Sequence, residues 1–102
     1  MDPERLSDIQ IADVVIATAG RETGKLFYVM CIEDTYLNLV NGKDRTLEKP
    51  KRKKLKHVEK VLRSETRVAE KLRQGDKVLN SELRRDLAYL GREMQSNNLG
   101  GF

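Results

Sequence analysis

The apolar and polar positions change period once along the chain, near residue 62. Before it, short apolar runs are separated by turn residues. Ile11-Ala12-Asp13-Val14-Val15-Ile16-Ala17-Thr18 is dense in β-branched residues and predicts a strand. Ala19-Gly20-Arg21-Glu22-Thr23-Gly24 predicts a turn or compact loop. The run from Leu26 to Ile32 predicts a second strand, ended by Glu33-Asp34. It lacks clean alternation, so cover is expected on both of its faces, with helices from the C-terminal half as the candidate cover. Tyr36 to Val40 predicts a third strand. Asn41-Gly42 follows as the strongest hairpin signal, with a short return strand at Arg45 to Leu47. Pro50 is expected to stop regular structure. The four cations Lys51-Arg52-Lys53-Lys54 repel one another and need a counter-charge to order. Leu55 to Val61 predicts a fifth strand, and Leu6 with Ile9 a single packed turn before the first.

Beyond residue 62 the spacing is helical. Val68, Ala69 and Leu72 predict a helix over Glu65 to Arg73, ended by Gly75-Asp76. Asn80 or Ser81 is the expected cap of a second helix with Leu83, Leu87 and Leu90 on one face and Gly91 as its stop. Ser96 to Phe102 reads as a flexible tail. The expected fold is therefore mainly β with C-terminal α. Residues 1–62 form a small barrel, and residues 63–102 form an extension of two short helices.

Charge sharpens this picture. The chain of 102 residues has a formal net charge of only +4. Lys43 to Arg63, however, holds ten Lys/Arg against three acids, while the rest of the chain is slightly acidic. A positive field confined to one segment points to a polyanion partner. Other chemistry finds little support. Cys31 and His57 are the only residues of their kinds, so no cysteine cluster or histidine pair can hold a metal. No nucleophile–base set or carboxylate pair converges by spacing. The expectation is a protein that is not an enzyme, with no cofactor and no small-molecule substrate. No apolar stretch approaches membrane-spanning length, and the charged N-terminus lacks a signal core. The lone cysteine suits a reducing cytoplasm.

Asp13-Val14-Val15-Ile16 followed by Thr18-Ala19-Gly20-Arg21-Glu22-Thr23-Gly24-Lys25 and an apolar strand resembles a KOW motif. With Leu47-Glu48-Lys49-Pro50-Lys51-Arg52-Lys53-Lys54-Leu55-Lys56-His57-Val58, residues 9 to 62 resemble the bacterial KOW-domain RNA-binding proteins related to a eukaryotic and archaeal large-subunit ribosomal protein. The resemblance implies an SH3-like barrel whose loops contact RNA. It also implies ribosomal RNA, the large subunit and its proteins as partners. Gly24 matches the glycine that KOW motifs carry between two strands.

Two segments carry the expected contacts. In Lys49 to Lys56, six cations in eight residues can follow a phosphate backbone. In Thr18 to Lys25, Gly20 and Gly24 would let the backbone approach phosphate between Arg21 and Lys25. The candidate RNA-binding residues are Thr18, Arg21, Lys25, Lys43, Arg45, Lys49, Lys51, Arg52, Lys53, Lys54, Lys56 and His57, with Gly20, Gly24, Asn41 and Gly42 as structural turn residues. The alternative function is a protein-interaction module of the transcription or translation machinery.

Overall fold

A computed structural model describes the backbone of residues 8–100 and the side chains of residues 8–95. The strands β1 (Asp13–Ala17), β2 (Leu26–Glu33), β3 (Tyr36–Val40), β4 (Lys51–Lys54) and β5 (Val58–Arg63) form one sheet in the order β4-β3-β2-β1-β5. Every pairing is antiparallel. Helices α1 (Arg67–Gln74) and α2 (Asn80–Gly100) follow.

This sheet cannot lie flat. β4 and β5 stand at its opposite edges, yet only the 3₁₀ turn Leu55–His57 joins them. Five flat strands would separate the edges by roughly 19 Å. The chain from Lys54 to Val58 reaches at most about 14 Å even fully extended. The sheet therefore curls, and the curl encloses Val15, Ala17, Phe27, Val29, Leu37, Leu39 and Val58, with Ile9 and Leu55 packed beside them. Register shifts at Val14/Val15 against β5 and at Val29/Cys31 against β3 mark bulges that increase local twist.

The outer face is apolar too. Val14, Tyr28 and Val40 point away from the curl and meet Val68, Ala69, Val78, Leu83 and Leu87 from the helical half. Phe27, Tyr28 and Val29 are consecutive and all fully buried, so the broken alternation of β2 reflects cover on both faces. The buried Tyr28 phenol needs a partner there. Its O–H donates to the Asp86 carboxylate of α2, and its oxygen lies 2.9 Å from Ser64 Oγ. Thr66 Oγ1 donates to the same Asp86 oxygen at 2.8 Å and accepts from Ala69 N–H, capping α1. One polar cluster thus fixes the sheet and both helices to each other.

Several expectations need correction. Asn41-Gly42 does not make a two-residue hairpin, and no return strand forms at Arg45 to Leu47; Thr46 and Lys49 share only an isolated bridge. Asn41 Oδ1 instead accepts from Lys43 and Arg45 N–H, holding a wider loop. The tight hairpin is at Asp34-Thr35, between β2 and β3. Lys51–Lys54 is a strand rather than irregular chain, and the fifth strand starts at Val58 rather than Leu55. Asn80 does not cap α2. Its amide binds the loop, accepting from Leu47 N–H and donating to Glu48, while Glu82 Oε1 accepts from Leu79 N–H at the helix start. Gly91 does not stop α2, which passes over Leu26 there and runs to Gly100, through much of the expected flexible tail. Leu6, Gly101 and Phe102 lie outside the described residues.

Two glycines separate backbone strain from crowding. Gly24 has φ +88° with open space where a Cβ would stand. Gly42 has φ +76°, and a Cβ there would stand 2.2 Å from Asn80 O. Gly24→Ala should cost about 1 kcal/mol from the left-handed backbone alone. Gly42→Ala should cost on the order of 3 kcal/mol, because the loop must also retreat from α2. Urea unfolding of both variants checks the ranking; equal losses would refute the close approach.

Tyr28 offers a pH test. Burial first, and the Asp86 hydrogen bond second, push its phenol up to about 12. A raised folded value means the stabilisation is complete below the unfolded value near 10 and is lost as pH rises towards 12. Tyr28→Phe removes this contribution. The stability gap between parent and variant should shrink between those two pH values, and a gap independent of alkaline pH would contradict the assignment.

Candidate nucleic-acid interface

The cationic run is an edge strand whose pleat divides its charges. β4 pairs with β3 in the register Tyr36↔Lys54, Leu37↔Lys53, Asn38↔Arg52 and Leu39↔Lys51. Directly opposed residues share a face of an antiparallel pair. Lys51 and Lys53 therefore lie on the face of Leu37 and Leu39, inside the curl, while Arg52 and Lys54 lie with Tyr36 and Asn38 outside. Lys53 is buried and Lys51 half-buried, whereas Arg52 and Lys54 are exposed.

A buried lysine needs an acid, and Glu22 of the β1–β2 loop supplies it. Its Oε2 stands 4.0 Å from Lys53 Nζ, and its Oε1 accepts from Arg45 Nη2. The Arg45 hydrogen bond outweighs desolvation and holds the Glu22 carboxyl below the usual carboxylate range, with charge attraction from Arg45 and Lys51 adding to it. The same loop meets its neighbours elsewhere. Thr18 N–H donates to His57 O at 2.9 Å, and Lys25 pairs with Asp44 at 2.8 Å. Gly20 and Gly24 both have positive φ, and Gly20 faces the Lys53 ammonium. Thr18 to Lys25 thus packs against β4, the 3₁₀ turn and the Asn41–Arg45 loop.

The expected contact residues divide accordingly. Thr18, Arg21, Lys43, Lys49, Arg52, Lys54 and Lys56 are exposed, as is Lys25 despite its ion pair. His57 is half-buried in the 3₁₀ turn. Lys53 and Arg45 are committed to Glu22, which leaves Lys53 facing inwards rather than towards a ligand. Two residues were not among the expected contacts. Glu22 was visible only as a lone acid between Arg21 and Lys25. Tyr36 carries the Arg52 guanidinium carbon 4.0 Å above its ring centroid, with Lys54 Nζ at 5.9 Å.

Among the described residues, no group of three or more His, Cys, Asp or Glu side chains is placed to hold a metal ion, and no helix is long and apolar enough to cross a membrane. An open groove of about 430 Å³ between Ile16, Leu26 and the Leu87–Gln95 face of α2 is mostly apolar. Compared with protein-family models and with curated proteins, the sequence matches none.

Glu22→Gln should strand Lys53 as an unpaired buried cation and cost on the order of 2–3 kcal/mol at neutral pH. Because the folded carboxyl is held low, its stabilisation is present above the ordinary carboxylate value and fades as pH falls through the lowered one. Urea midpoints of parent and variant should differ at neutral pH and converge in strong acid. Equal midpoints at neutral pH would show that Glu22 is not the counter-ion.

Proposed function

We propose that this protein binds structured RNA in the cytoplasm, without catalysis, through the loops and edge strand of an SH3-like barrel of the KOW type. The partner that the KOW resemblance favours is ribosomal RNA of the large subunit or of its assembly particles, with large-subunit proteins beside it. The observation that carries the reading is the division of charge on and around β4. The buried inward Lys53 is paired with Glu22, while Lys49, Arg52, Lys54 and Lys56 remain exposed in one short stretch. Arg21 and Lys43 add exposed cations on loops that pack beside it. A curled five-stranded antiparallel sheet is the framework an SH3-like barrel requires, and it supports that part of the reading. Duplex RNA is contacted mainly through phosphates, 2′-hydroxyls and shape, which suits a convex row of cations with few aromatics.

Salt dependence tests the proposal. Neutralising about five phosphates should give log K against log salt a slope on the order of −3.5 to −4.5. Replacing Lys49, Arg52, Lys54 and Lys56 together by Ser should flatten most of that slope and leave the melting temperature nearly unchanged, since exposed charges contribute little to folding. Lys53→Ser should do the reverse, lowering the melting temperature with little effect on slope. Filter binding to ribosomal RNA fragments and thermal melts measure both. A slope near zero, or no binding to any of the fragments, would overturn the proposal.

A further inference from the structure

The helices cover only part of the sheet's outer face. Val14, Tyr28 and Val40 lie beneath them, but Tyr36, Asn38, Arg52 and Lys54 lie on the same face outside the helical cluster. In this uncovered patch the guanidinium of Arg52 is held 4.0 Å over the half-buried Tyr36 ring. Among the described residues, Arg52 has no carboxylate partner and its side chain makes no hydrogen bond. The ring is its anchor, and both residues stand on paired strands rather than on loops.

We infer that this patch is a stacking site for one unpaired base of the bound RNA, with Arg52 as the platform, Tyr36 as its support and Lys54 as the contact to that nucleotide's phosphate. The inference rests on the RNA-binding reading and deepens it. A cation that only neutralises phosphate gains little from being fixed over a ring, because a mobile ammonium serves as well. A planar guanidinium held by an aromatic ring offers a flat outward face to a base, at reduced entropic cost on binding. Bases inside a duplex have both faces covered by their neighbours, so the ligand must be a bulged or splayed nucleotide. Lys54, on the same face and 5.9 Å from the same ring, supplies a charge beside it.

The test uses the full chain and two fluorescent RNA hairpins, one with a fully paired stem and one whose stem carries a single bulged purine analogue that reports stacking. The parent should prefer the bulged stem by about tenfold and change the analogue's fluorescence, in keeping with the stacking of one base. Arg52→Lys keeps the charge but loses the plane. It should abolish the preference and the fluorescence change, weakening the bulged stem more than the paired one. Tyr36→Leu should act the same way, and Tyr36→Phe should behave like the parent. Because Arg52 is exposed, its variant decides the question even if Tyr36→Leu folds poorly. Equal binding of both stems by the parent, or a preference that survives Arg52→Lys, overturns the inference and leaves phosphate binding intact. Failure to bind either stem overturns both readings.

Discussion

The structure depends on one constraint: a small sheet that is apolar on both faces must be covered on both. Phe27, Tyr28 and Val29 state it most directly, since successive residues of a strand point to opposite sides and all three are fully buried. A chain this short has no spare layer for each face. It solves the inner face by curvature, which the three-residue turn between β4 and β5 enforces, and the outer face with α1 and α2. The two solutions are coupled. The curl makes the outer face convex, and the helical cluster covers only part of it, leaving the β3–β4 side to solvent. Where the putting-away of apolar surface ends, the exposed cations begin.

Apolar burial is non-directional and would not by itself fix where the helices lie. The polar contacts supply that direction. Tyr28, Ser64, Thr66 and Asp86 join the centre of the sheet to the start of α1 and the middle of α2. A second clamp lies at the start of α2, where Asn80 binds the backbone of Leu47 and Arg84 donates to Gly42 O at 2.7 Å. With two separated anchors, α2 can neither slide nor rotate without leaving buried groups unpaired, a loss of about 1–3 kcal/mol for each.

The elements legible in the sequence are those whose own residues decide them. β1, β2 and β3 follow from β-branched and apolar density, and α1 from its apolar spacing and Gly75. What was hidden depends on partners distant in the chain. Lys51-Arg52-Lys53-Lys54 looks self-repelling in isolation, and its order comes from the β3 edge and from Glu22, some thirty residues earlier. Asn41-Gly42 reads as a hairpin until α2 is placed against it. Gly91 reads as a stop until Leu26 is seen beneath it. The candidate site shows the same limit. Composition locates the cationic segment but cannot rank four adjacent cations, because exposure alternates with a register that only the pairing with β3 sets. The sequence shows Tyr36 only as the start of a strand, and the register brings it beside Arg52 and Lys54.

Register is also where folding and binding meet. A slip of β4 by one residue would turn Arg52 and Lys54 inwards and Lys51 and Lys53 outwards, since the side-chain period of a strand is two. Pairing energies along the backbone would hardly change, so hydrogen bonds do not choose between the two alignments. Nor does the buried acid. Glu22 is fixed by Arg45 and can reach the inward cation at the Lys53 position. A one-residue slip would bring Arg52 or Lys54 opposite Leu37, so the acid would still meet a cation there. Leu55 makes the choice: it follows Lys54 and packs beside the inner cluster, and the slip would carry it off that contact. The packing of Leu55 inside the curl is therefore also what displays Arg52 and Lys54 beside Tyr36. An interaction internal to the fold determines which charges the surface presents.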